Sequence, residues 1–148
     1  MKLLKSPFQL AFVIAAVSAP LIDARGQVGG GCIYDSYPGT CTTVAVSKTK
    51  ASIGQKTMAG GPGYEGLDVK FSYAGEAPSD KALVRQALGM QHDLRLANSW
   101  YPGPRFLAKY EIAPGKKFGC ALKVIRTGSC TPTVFQFSTI DLTDYSER

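Results

Sequence analysis

Leu67, Val69, Phe71 and Tyr73 alternate with Asp68, Lys70 and Ser72, and this period of two predicts a strand with one buried face. The same alternation returns in Phe118, Cys120, Leu122 and Val124. After a turn at Thr127-Gly128, Thr131 to Phe137 reads as the partner strand, with Thr133, Phe135 and Phe137 on one face. Thr40 to Ser47 (TCTTVAVS) is rich in β-branched residues and predicts another strand; residues 51–58 give a weaker strand pattern. Between these runs the spacing changes. Leu83, Ala87, Met90, Leu94 and Ala97 recur at intervals of four and three, the apolar stripe of an amphipathic helix. Ser79 is suited to cap that helix and Asp80 to its first turn, which places it over residues 79–98. Pro102, Gly103 and Pro104 stop it, and a short helical turn is expected over Arg105 to Tyr110. Pro38-Gly39, residues 59–66 (AGGPGYEG), Gly75 to Pro78 and Pro114-Gly115 read as turns or loops.

The predicted order is five strands with one helix between the third and fourth. That is an α+β fold, either a small antiparallel or mixed sheet or an OB-like five-stranded barrel, by analogy of element order alone. The length of 148 residues suits a single domain. It is read as residues 40–138, preceded by a Gly-rich irregular segment over 25–39. A tail over 139–148 carries Asp141, Asp144 and Glu147 and is expected to be loosely held.

The N-terminus adds a compartment. Lys2 and Lys5 precede an apolar stretch from Phe8 to Ile22, so residues 1–24 read as a secretory signal with Arg25 as the new N-terminus. The alternative is an uncleaved apolar anchor. Cys32 follows three glycines rather than the apolar run, which argues against lipidation. A periplasmic or extracellular protein meets oxidising conditions, where an even set of cysteines forms disulfides. Cys32, Cys41, Cys120 and Cys130 are such a set, and their spacings of nine and ten exceed those of zinc knuckles. Short loops close most readily, which favours Cys32–Cys41 and Cys120–Cys130, with Cys41–Cys130 as the alternative.

Charge gives the functional expectation. The chain carries a net +6. Lys81, Arg85, Arg95, Arg105, Lys109, Lys116, Lys117, Lys123 and Arg126 face only Asp80, Asp93 and Glu111 between residues 79 and 126. On the predicted helix, Lys81, Arg85, His92 and Arg95 fall within a sector about 80° wide. Arg105, Lys109, Lys116 and Lys117 extend that patch if they fold back beside it, with Trp100 and Tyr101 at its edge. A basic patch of this kind attracts an anionic polymer, a lipid head group or an acidic protein. Export makes an intracellular nucleic acid an unsuitable partner. The rival reading is an accessory envelope protein that docks another protein through an apolar patch.

Catalytic chemistry finds little support. His92 is the single histidine, and no nucleophile elbow accompanies it. Ser47 to Lys50 fits the S-x-x-K spacing of serine β-lactamases and penicillin-binding proteins, and Arg126-Thr127-Gly128 approximates K-T-G. Yet the serine ends a strand, no S-D-N element lies between, and the chain is too short for such an enzyme. Neither glycine run has the ending of a phosphate loop. A non-enzymatic binding module without metal or cofactor is the expectation.

Overall fold

The computed structural model describes residues 31–145 and Glu147; the segment read as a signal, residues 1–24, and the start of the Gly-rich segment lie outside them. Five strands, β1 (Ile33–Ser47), β2 (Asp68–Gly75), β3 (His92–Leu94), β4 (Lys117–Thr127) and β5 (Thr133–Phe137), form one antiparallel sheet in the order β3-β2-β1-β4-β5. Three short α-helices lie between them, α1 (Lys50–Gly54), α2 (Ala82–Leu88) and α3 (Pro104–Lys109), with a 3-10 helix over Gln55–Thr57 directly after α1. No helix of the described residues is long and apolar enough to cross a membrane.

The sheet is curled into a half-barrel. Strands β2 and β5 are three strand intervals apart, about 14 Å in a flat sheet. Yet the rings of Phe71 on β2 and Phe135 on β5 meet with centroids 5.0 Å apart. Strands β3 and β5 are the two edges, and still His92 lies 4.5 Å from Phe135. The concave face therefore encloses the core, which contains Val69, Phe71, Leu94, Phe118, Leu122 and Val124. The alternation in β2 and β4 supplies this face directly: Phe118, Cys120, Leu122 and Val124 are buried while the residues between them are not.

Several expectations need correction. The segment 25–39 is not irregular throughout, since β1 begins at Ile33 and runs through Pro38-Gly39 without a turn. Pro38 is tolerated because β1 pairs with β2 only from Gly39 onward. The Pro38 carbonyl accepts from Tyr73 Oη on the β2 side, so the missing N–H costs the β4 ladder nothing. Gly39 is needed for another reason: a Cβ there would lie 2.5 Å from the Tyr73 ring.

Of residues 51–58, those through Thr57 are helical rather than extended, α1 passing into a 3-10 turn over Gln55–Thr57. Thr49 and Ser52 form a reciprocal capping box, Ser52 N donating to Thr49 Oγ1 at 3.1 Å and Thr49 N to Ser52 Oγ at 2.9 Å. The long helix over 79–98 is also absent. Lys81, not Ser79, stands at the N-cap of α2, and the helix closes at Gly89. The chain then turns to add β3 to the free edge of β2, pairing Leu94 with Val69 and His92 with Phe71. A long helix would leave that edge unpaired.

Both disulfides differ from the favoured local pairs. They are Cys32–Cys130 and Cys41–Cys120, with Cα separations of 6.2 and 5.8 Å. Cys32 and Cys41 lie along one extended run, nine residues and up to about 30 Å apart, beyond the reach of a bridge. Cys120 is well inside β4, whereas Cys130 lies in the turn beyond its end. Gly128 in that turn has φ +107°, and a Cβ there would meet Cys32 Sγ at 2.5 Å.

The tail is also held more firmly than expected. Ile140 is buried, Ala97 N donates to the Leu142 carbonyl at 2.9 Å, and Glu147 is anchored as described below.

Candidate functional site

Helix α3 is the pivot of the site. Gly103 is its N-cap and Pro104 opens its first turn, where the missing N–H is harmless. Phe106 and Leu107 are buried against the core, while Arg105 and Lys109 are exposed. These two cations are four residues apart, so they stand side by side on one face.

An open cleft lies at each end of α3. At the N-terminal end, a cleft of about 440 Å³ is lined by Lys48, Lys56, Tyr64, Glu65, Arg105 and Glu147. At the C-terminal end, a cleft of about 470 Å³ is lined by Lys109, Tyr110, Glu111, Lys116, Lys117 and Ile140 among others. Arg105 belongs to the first and Lys109 to the second, and their adjacency joins the two into one basic strip.

Local structure fixes both walls. Gln55, almost fully buried, donates to the Tyr101 carbonyl at 3.2 Å and accepts from Tyr101 N at 2.9 Å. Its amide also reaches the Tyr64 carbonyl at 3.4 Å, which pins the Gly-rich loop over residues 59–66 against the end of α1. On the other side, the Thr43 carbonyl accepts from Gly115 N at 2.8 Å and Thr43 N donates to the Lys116 carbonyl at 2.8 Å. Those bonds fix the turn that presents Lys116 and Lys117.

Carboxylates of the chain already sit on the strip. Lys48 and Lys56 both approach Glu65, at 3.0 and 3.8 Å. A hydrogen bond from Lys48, its charge and that of Lys56 hold the Glu65 carboxyl below its ordinary range. Lys116 pairs with Glu111 at 2.7 Å, which lowers the Glu111 carboxyl likewise. Lys109 is hydrogen-bonded and ion-paired to Asp144, whose carboxylate also accepts from Tyr110 Oη at 3.2 Å. That bond is the largest influence raising the Lys109 ammonium above its usual value. Glu147 Oε1 accepts from Phe106 N at 2.6 Å. Burial, followed by the nearby Glu147 charge, raises the Tyr64 phenol. Lys117 is exposed and makes no ion pair among the described residues.

The strip contains Arg105, Lys109, Lys116 and Lys117 of the expected patch, but not its other members. Lys81, the N-cap of α2, pairs with Asp35 at 2.9 Å and donates to Tyr37 Oη at 3.0 Å, both on β1. Arg85 donates to the Ser79 and Asp80 carbonyls at 2.9 and 3.0 Å, holding the turn before α2. His92 lies on β3, where Nε2 donates to the Ala87 carbonyl at 2.8 Å and so satisfies a carbonyl in the last turn of α2. Arg95 stacks on the Tyr101 ring with its guanidinium carbon 3.3 Å from the centroid, and pairs with Asp93 at 3.3 Å. The Trp100 carbonyl accepts from Leu96 N at 3.0 Å, so the Trp100-Tyr101 turn is knitted into the loop before α3 rather than edging a patch. The helical sector expected for Lys81, Arg85, His92 and Arg95 does not exist because α2 ends before the last two.

Sequence reasoning missed Lys48 and Lys56. Their signal was the Thr49-x-x-Ser52 box between them, which makes a helical turn and brings both lysines to Glu65. Among the described residues no cluster of three His, Cys, Asp or Glu side chains is placed to hold a metal ion.

No protein-family model, curated protein or solved structure matches this chain. The functional reading therefore rests on the site itself.

Proposed function

We propose that this protein is a small exported, non-catalytic module that binds a linear anionic polymer along the α3 strip. The observation that carries the reading is the Arg105–Lys109 pair, which connects two lysine-lined clefts on one exposed face. An anionic head group fills one cleft; a polymer engages both and gains from the linkage. The clefts are open to solvent, as a chain-like ligand needs. The oxidised cysteines fit an oxidising compartment, and the Lys-then-apolar residues 2–22 support export into one.

An OB-like architecture is part of the proposal. The sheet order, closed in thought across the β3–β5 seam, runs β1-β2-β3-β5-β4, and α3 lies between β3 and β4. Both features support a partly open Greek-key barrel. That likeness concerns the fold and adds nothing to the choice of ligand.

The test is heparin binding at low salt by the parent and two charge-matched variants. Lys116→Gln/Lys117→Gln should weaken binding by roughly ten-fold, and the parent should lose affinity steeply as salt rises. Lys81→Gln/Arg85→Gln, away from the strip, should bind within about two-fold of the parent. Equal losses in the two variants would overturn the strip, and salt-insensitive binding would point to docking through an apolar surface.

A further inference from the structure

Residues 139–145 and Glu147 are placed along the strip from one cleft to the other. Thr139 and Ile140 line the C-terminal cleft, and Glu147 lines the N-terminal one. Between these ends Asp144 occupies the Lys109 ammonium and the Tyr110 hydroxyl. Its side chain is only 12% exposed, so this carboxylate is seated rather than loosely paired. Asp141 is exposed and engaged within its own loop, accepting from Thr143 N at 2.9 Å and Thr143 Oγ1 at 2.6 Å.

We infer that this acidic segment is an internal competitor for the strip: Asp144 holds the Lys109 ammonium that an external polyanion takes when the segment is displaced, and Glu147, released with it, leaves the Phe106 N–H to water. The inference rests on the polymer-binding reading above and assigns its regulation. Asp144 and Glu147 are three residues apart on a chain that follows α3, which itself carries its cations four residues apart. The segment thus presents carboxylates to the site in the manner of a short stretch of acidic polymer. Being tethered, it competes at an effective concentration of about millimolar, so the seated Asp144 ion pair and the Glu147 hydrogen bond suffice to hold it. A polymer with many more charges exceeds it, and the bound state must release the Asp144 and Glu147 contacts while Ile140 can remain buried.

Two measurements on the full chain test this. The first compares affinity for a size-defined heparin oligosaccharide at low salt. Asp144→Ala/Glu147→Ala should bind about three- to ten-fold more tightly than the parent, because the competing pairs are gone. Glu76→Ala/Asp80→Ala removes the same charge at exposed positions outside both clefts and should change affinity by less than about two-fold. The second measures amide exchange in the unmodified protein, which removes any dependence on how the variants fold. Adding heparin should deprotect Phe106 N–H, which is bonded to Glu147, and leave Leu107 N–H, bonded to the Gly103 carbonyl, protected. Heparin binding that leaves Phe106 protected, or that gains no more from the tail variant than from the control, overturns the inference and leaves the binding strip standing. Failure of every protein to bind heparin overturns both.

Discussion

Cys41 and Asp93 illustrate how single side chains act here. Cys41 pairs across the sheet with Phe118, and Cys120 pairs with Gly39, so the bridge crosses the two central strands on the diagonal inside the core. It closes a sequence separation of 79 residues, a long loop in the unfolded chain. Replacing both cysteines by serine should cost about 2–5 kcal/mol in denaturant melts. Non-reducing peptide maps should find Cys32 joined to Cys130 and Cys41 to Cys120; fragments linking Cys32 to Cys41 would contradict this. Asp93 behaves differently. Burial tends to raise its carboxyl, but Lys70 and Arg95 outweigh that and hold it below the usual range. A carboxyl lowered by folding contributes stability that is complete above its unfolded value near pH 4 and is lost as pH falls through the folded value. The Tm gap between the parent and Asp93→Asn should therefore be widest above about pH 5 and close in strong acid. A gap that widens on acidification would show the ion pairs to be of no consequence.

Among the elements, α2 and β3 separate what the sequence pattern conveys from what packing decides. The interval of four and three that runs through Leu83, Ala87, Met90 and Leu94 continues past Gly89, yet the backbone does not. Leu94 is 1% exposed all the same, because a strand residue opposite Val69 buries it as well as a helical one would. Met90, on the same expected stripe, is 47% exposed, which marks where the helical pattern fails. Leu94→Ala should thus destabilise by roughly 2–5 kcal/mol. Arg85→Ala, whose guanidinium only braces the Ser79–Asp80 turn, should stay within about 1 kcal/mol. Comparable losses in the two would mean that β3 does not pack as described. Strands β2 and β4 were legible because each buries one face, so alternation reports their structure directly; β5 is only half-buried, with Phe135 and Phe137 packed against the core. The short helix α1 was not, because its evidence was a two-residue cap and not a hydrophobic period. The first half of β1 was obscured by Pro38-Gly39, whose acceptability depends on where a neighbouring strand begins.

At the scale of the molecule, long-range contacts set both the curl and the site. The approach of His92 to Phe135 joins residues from opposite edges of the sheet, and no local pattern announces it. The disulfides are long-range for the same reason: β1 pairs with β4, so cysteines close in sequence are driven apart along extended strands. Arg105, Lys109, Lys116 and Lys117 were visible as cations in the sequence, whereas Lys48 and Lys56 join them only through the β1–α1 turn and the Gly-rich loop. Much of the apparent positive excess also lies elsewhere. Lys2, Lys5, Arg25 and Arg148 are outside the described residues against one acid there, Asp23, which leaves half of the net +6 on the described residues. What distinguishes the strip is therefore arrangement rather than total charge. The most direct test is a titration with a heparin oligosaccharide followed by residue-resolved amide shifts. The account predicts that the largest changes fall on Arg105 to Tyr110, Lys116 to Gly119 and the Lys48–Lys56 turn, with Lys81, Arg85 and Arg95 nearly still. Changes centred on α2 and β3, or spread evenly over all exposed lysines and arginines, would contradict it.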